Sequence, residues 1–176
     1  PPFVEIRQPD IRLPEVVAPE EPVELLRLTD YSLSFEEKLL EAVSFAVQSG
    51  QKVALVGANG TGKTSMLREI WKNENSAIRF SPEAVPAFFS QLHAEILSEQ
   101  NSIYQEFYAI GFETPDQVEA HLQKYCFHPN SLGRKVGNLS GGEKNLLQLA
   151  KLAVSQANIL LLDEPFGALD ALTRLK

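Results

Sequence analysis

The sequence predicts an α/β fold built on a mainly parallel sheet, and three observations carry the prediction. The apolar run Val53-Ala54-Leu55-Val56 leads into Gly57-Ala58-Asn59-Gly60-Thr61-Gly62-Lys63-Thr64, a G-x-x-x-x-G-K-T pattern, and Ser65-Met66-Leu67-Arg68-Glu69-Ile70-Trp71 follows with helical spacing. A second apolar run, Ile159-Leu160-Leu161-Leu162, ends in Asp163-Glu164-Pro165, as a buried strand does when it delivers acids at its C-terminal edge. Between the two lies a stretch whose apolar residues recur at helical intervals.

In chain order, the first 22 residues carry six of the 11 prolines. They read as an extended linker, because proline cannot propagate a helix. Val23–Thr29 and Val43–Val47 alternate or run apolar, as strands of a small antiparallel subdomain would. Val53–Val56 is then expected as a buried parallel strand. Its loop has glycines that let successive N–H groups and a helix N-terminus point at phosphate oxygens. Lys63 would pair with the β- and γ-phosphates and the Thr64 hydroxyl would ligate Mg²⁺.

Val85–Phe89 is strand-like. Asn101-Ser102 caps a helix running to Ala109, with Ile103, Phe107 and Ile110 on one face and Gly111 as the stop. Thr114-Pro115-Asp116 starts another, carrying Val118, Leu122 and Tyr125 at helical spacing. Ser140, with Glu143 three residues on, forms a capping box opening a third helix. At the end of Ile159–Leu162, Asp163 would hold Mg²⁺ through water and Glu164 would polarise an attacking water.

Leu139-Ser140-Gly141-Gly142-Glu143, together with the phosphate loop and Asp163-Glu164, resembles the ATP-binding cassette family. The resemblance implies a P-loop NTPase cassette: a RecA-like mainly parallel sheet, an N-terminal antiparallel β-subdomain, and a helical signature subdomain at about 92–150. The cassette would occupy residues 23–176, after the 1–22 linker. It implies ATP and Mg²⁺ as cofactors, with Gly57, Asn59, Gly60, Thr61, Gly62, Lys63, Thr64 and Ser65 on the phosphates. Leu139, Ser140, Gly141, Gly142 and Glu143 would face the ATP of an opposite cassette. Gln91 matches the glutamine that reaches Mg²⁺ and the water, so the metal set would be Thr64, Gln91 and Asp163, and the catalytic pair Glu164 and Gln91. Phe35, 22 residues before Gly57, stands where the family places an aromatic against adenine; core packing is its alternative, and Tyr31 its rival. Ala168-Leu169-Asp170 resembles the loop that communicates between paired cassettes.

The family's switch histidine lies roughly thirty residues further on than Asp170. His93, His121 and His128 all precede the signature, and the sequence stops at Lys176. They read as solvent-facing or hydrogen-bonded bystanders. The expectation is therefore a C-terminally incomplete cassette, lacking a central strand, with exposed hydrophobic sheet edges.

Composition narrows the class. At 176 residues and 44% hydrophobic, one domain is the prior. No apolar run approaches the ~18 residues of a membrane span, no secretory signal opens the chain, and a single cysteine excludes a disulfide framework. The net charge of −7 argues against a broad nucleic-acid-binding face. A cytoplasmic ATPase without direct membrane insertion is expected.

Within the family, the 28 positions from Lys63 to Gln91, the Gly111–Pro115 segment and the Leu139–Lys151 run resemble the second cassette of bacterial ABC-F proteins. These pair two cassettes, many act on ribosomes, and some protect against antibiotics. Asp163-Glu164-Pro165-Phe166-Gly167-Ala168-Leu169-Asp170-Ala171-Leu172-Thr173-Arg174 instead resembles importer ATPases, whose partner is a membrane permease. A module that binds ATP without turnover is the third reading.

Overall fold

The computed structural model describes residues 19–34 and 38–163. They divide into two compact units, residues 89–155 and a discontinuous one that joins the chain before residue 89 to the stretch from residue 156 onward. Phe35, Glu164, Ala168, Leu169, Asp170 and nearly all of the proline-rich start lie outside the described residues.

The discontinuous unit begins with β1 (Glu24–Ser34) and β2 (Lys38–Gln48), an antiparallel pair with Leu28 opposite Phe45 and Tyr31 opposite Val43. The expected strands are both present and longer than the apolar runs that announced them. The register shifts between Leu28 and Tyr31, and Asp30 and Ala42 adopt positive φ (50° and 48°). Ser44 Oγ and Ser32 Oγ accept from the Asp30 and Ala42 amides at 2.8 and 3.0 Å, so serine hydroxyls satisfy the amides that the irregularity takes out of the ladder. On its other side β1 pairs with β3 (Ile78–Phe80), placing Leu26 opposite Phe80. Leu25, Leu26, Leu28, Tyr31 and Leu33 are buried, as are Met66 and Ile70 of helix α1 (Lys63–Lys72).

β4 (Pro86–Phe89) and β5 (Ile159–Leu162) form a separate two-stranded sheet. Both start from one knot of bonds: Asn158 N donates to Val85 O (3.0 Å), Val85 N to Asn158 Oδ1 (2.8 Å) and Asn158 Nδ2 to Glu83 O (2.8 Å). Strands joined at their N-terminal ends run in the same direction. Trp71 of α1 lies against Phe88 of β4, with ring centroids 5.9 Å apart.

Val53–Val56 departs from expectation. It forms no strand, and Val53 and Val56 are 57% and 93% exposed. A parallel strand exists only through bonds to a neighbour, and among the described residues both sheets are formed without this segment.

The 89–155 unit is helical. α2 (Ile103–Tyr108) and α3 (Pro115–Leu122) open on capping boxes: Ser102 with Gln105, and Thr114 with Gln117. Gly111 (φ 102°) ends the first. Its N–H bonds Tyr108 O, the Phe112 N–H bonds Phe107 O, and the two phenylalanine rings meet edge to face at 5.2 Å. This is a Schellman stop with its hydrophobic contact. Ile103, Phe107, Val118, Leu122 and Tyr125 are buried as their spacing predicted, but Ile110 is 44% exposed, because the chain has left the helix before reaching it.

α4 (Gly141–Leu152) completes this core with Leu147, Leu149 and Ala150. Lys151 crosses to the largely buried Glu106 of α2 at 2.7 Å, and Glu106 also accepts from Ser98 N and Asn101 Nδ2. The buried carboxylate is thus both paired and hydrogen-bonded, which its burial requires. Each histidine is hydrogen-bonded: His93 Nε2 meets Asn145 Oδ1 (2.8 Å), His121 Nε2 meets Ala150 O (2.8 Å), and His128 Nδ1 accepts from Asn130 N (3.2 Å).

Candidate functional site: a phosphate loop and a signature helix

The loop from Gly57 folds into the start of α1. Gly60 and Gly62 sit at φ 85° and 87°, the left-handed region that side chains disfavour, and Gly62 is the N-cap of α1. A Cβ on Gly62 would also lie 2.7 Å from Leu33 Cδ2, so the loop rests directly on β1. Sequence pattern and close approach thus demand glycine at one place.

Lys63 turns its ammonium back over the loop and donates to Gly57 O (2.9 Å) and Ala58 O (2.8 Å). Thr61 Oγ1 also donates to Ala58 O (2.9 Å). Carbonyl oxygens are neutral partners, so an anionic oxygen at the loop would compete for the same ammonium through a stronger, charge-assisted bond. Beside the lysine is a cavity of about 210 Å³, lined by Leu39, Asn59, Gly60, Gly62, Lys63, Thr64 and Ser65. Its floor is the N-terminus of a ten-residue helix, where amides and the helix dipole favour negative charge.

Thr64 Oγ1 donates to Asp163 Oδ1 at 2.6 Å, across 99 positions of sequence. Thr64 opens α1, whereas Asp163 follows β5 and is 2% exposed. The pair offers a hydroxyl and a carboxylate, the hard oxygen donors that Mg²⁺ selects, next to the cavity where phosphates would bring the rest of its shell. The donor set therefore fits the ion. Among the described residues no group of three or more His, Cys, Asp or Glu could hold a metal, so an ion at Thr64 and Asp163 would draw most of its ligands from phosphate and water.

The predicted adenine contacts divide. Phe35 lies outside the described residues; its rival Tyr31 is fully buried and has no open ring face, which removes it from the stacking role.

In the helical unit, Ser140 caps α4. Its Oγ accepts from Glu143 N (3.3 Å), while Glu143 Oε2 accepts from Ser140 N (2.8 Å). Leu139 is buried beneath the cap; Ser140, Gly141 and Gly142 are exposed. Sequence reasoning missed Arg134. Its Nη1 bonds Glu143 Oε1 at 2.6 Å and its Nη2 reaches Asn138 O at 3.5 Å. The Arg134 guanidinium, helped by the Ser140 amide, holds the Glu143 carboxyl down at about 2. A bare carboxylate at a helix start would repel an anion there; the guanidinium offsets its charge. Gln91 is exposed, directly after the fully buried Ser90.

The ABC transporter family matches residues 40–167. The chain is 31% identical over 170 residues to ABC transporter F family member 5 of Arabidopsis thaliana, covering 93% of this chain and 24% of that protein. It is 33% identical over 147 residues to the energy-dependent translational throttle protein EttA of Haemophilus influenzae, covering 78% of this chain and 26% of that protein. The chain thus spans about a quarter of the length of these curated relatives. Its fold is similar to that of a putative ABC transporter ATP-binding protein from Pyrococcus furiosus, with TM-score 0.59 and 23% identity over 81% of this chain and 76% of that one.

Proposed function

Because the chain belongs to the ABC transporter family of ATP-binding cassettes, we propose that it binds Mg²⁺·ATP on the Gly57–Ser65 loop and serves as one cassette of an ABC-F ATPase acting in translation. The observation that carries the nucleotide reading is the Thr64–Asp163 bond at the foot of a loop whose lysine, among the described residues, is held by the carbonyls of Gly57 and Ala58. Lys63 would leave Gly57 O and Ala58 O for the β- and γ-phosphates, and Asn59, Gly60, Thr61, Gly62 and Ser65 would line the phosphate path. Thr64 and Asp163, with Gln91 assigned by its motif, would hold Mg²⁺, which would draw off phosphate charge as the γ-phosphate is transferred.

In the reading of turnover, a water oxygen bonds to the γ-phosphorus as the bond to the β–γ bridging oxygen breaks. ADP leaves with that electron pair, and the water's proton passes toward the Glu164 carboxylate. Leu139, Ser140, Gly141, Gly142 and Glu143 would close on the nucleotide of a second cassette, with Arg134 offsetting the charge of Glu143. Phe35 at the adenine, the Ala168-Leu169-Asp170 contact between cassettes, the 1–22 linker and the helical subdomain near 92–150 belong to the same reading.

Fluorescent ATP-analogue binding tests the nucleotide assignment. Lys63→Ala removes the phosphate-facing ammonium and is expected to abolish binding, while circular dichroism stays unchanged; undiminished affinity would refute the loop assignment. The translation reading is supported by likeness to proteins named for the F family and for translational throttling. ATP-dependent co-sedimentation with ribosomes tests it. The importer reading, supported by the Phe166–Asp170 sequence, predicts instead co-purification with a membrane permease.

A further inference from the structure

Three residues of α4 spaced by three, and so on one helix face, reach the segment that follows β4. Asn145 Oδ1 meets His93 Nε2 at 2.8 Å, and Lys151 Nζ donates to Ile96 O at 3.2 Å. Between them Gln148 reaches Ser90. Both residues are buried, Gln148 at 2% and Ser90 at 0% exposure, and they lie 58 positions apart.

The contact is two-pronged. Ser90 N donates to Gln148 Oε1 at 3.1 Å, and Gln148 Nε2 donates to Ser90 O at 3.1 Å. The carboxamide presents a donor and an acceptor in one plane, so it stands in for a neighbouring strand at the residue just past the end of β4. The Ser90 hydroxyl is also engaged, donating to Glu95 Oε2 and accepting from Leu92 N (3.1 Å). Every polar group of Ser90 is therefore fixed, two of them by one side chain. An aliphatic residue of similar size at 148 would bury an amide and a carbonyl without partners.

Gln91 is the next residue. We propose that Gln148 is a positioning residue: from inside α4 it fixes the backbone of Ser90, and with it that of the adjoining Gln91. This role rests on the reading of Gln91 given above. The contact comes from a side chain of α4 that is not part of the Leu139–Glu143 motif.

The test uses the whole chain and the affinity of a fluorescent ATP analogue, with and without Mg²⁺, in the four-member cycle of wild type, Gln148→Ala, Gln91→Ala and the double variant. Gln148→Ala is expected to lower the Mg²⁺-dependent gain in affinity about fivefold, to leave metal-free affinity within about twofold, and to add nothing in the Gln91→Ala background. An equal loss in both backgrounds, or none in either, overturns the proposal.

Gln148→Glu carries the same test in a near-isosteric side chain should the alanine variant unfold. An ionised carboxylate accepts from Ser90 N but cannot donate to Ser90 O, whereas the protonated acid does both, and burial favours the protonated form. Relative to wild type, its Mg²⁺-dependent gain should recover as pH falls from about 8 to about 6; a flat ratio overturns the proposal. Wild type that binds no ATP would instead refute the nucleotide reading, and this role with it, an outcome told apart from the others by wild type alone.

Discussion

Thr64 and Asp163 show how much of a site two local signals can specify. The motif names the threonine and the strand exit names the aspartate; the 2.6 Å bond between them is what the fold adds. Thr64→Val removes the donor and keeps the shape, leaving a buried carboxylate short of a partner. It should cost about 1–3 kcal/mol of stability in the nucleotide-free protein, measured by urea unfolding, and Thr64→Ser should restore it. Arg134 was illegible by the same logic, because its partner is chosen by a turn of the folded chain and no motif marks it. Its effect on Glu143 has a definite sign. The folded carboxyl titrates near 2, below its ordinary value, so its contribution to stability is full above the ordinary carboxylate range and is lost as pH falls toward about 2. In Arg134→Leu the folded value moves back up, and the melting temperature should fall less steeply between about pH 5 and about pH 2 than in wild type. Both groups are partly exposed, so salt should shrink the difference.

Helix boundaries were the most legible elements, because a cap is a contract among four neighbouring residues. Ser102-Ile103-Tyr104-Gln105, Thr114-Pro115-Asp116-Gln117 and Ser140-Gly141-Gly142-Glu143 each close a reciprocal box; the sequence marked the third as a box and the first two as helix starts. Ile110 failed for a local reason as well: the helical spacing was carried past the end of α2, which stops at Tyr108 with Ala109 as its cap. Thr114→Ala removes the cap of α3 and should cost about 1 kcal/mol by chemical denaturation. It should leave ATP affinity unchanged, since this cap belongs to the core of the helical unit and to none of the residues proposed to face phosphate. A large loss of affinity would show that α3 takes part in nucleotide binding.

At the scale of the molecule, what sequence could not settle was which apolar runs become strands. Ile159–Leu162 and Val53–Val56 look alike as strings of residues. The first finds β4 and buries Ile159 and Leu161; the second has no partner among the described residues and is exposed. Hydrophobic character makes a strand possible, but hydrogen bonds to a specific neighbour make it real, and that neighbour is distant in sequence. The difference is measurable. Val56→Ser, at a position 93% exposed, should change stability by less than about 0.5 kcal/mol, whereas Leu161→Ala, at 6% exposure, should cost about 2–5 kcal/mol. Amide exchange should agree, fast at Val53–Val56 and slow in β5. A costly Val56→Ser with slow exchange would mean that this run is a paired, buried strand in solution, as its sequence alone had suggested, and that the phosphate loop hangs from a sheet rather than from the start of α1 and the side chain of Leu33.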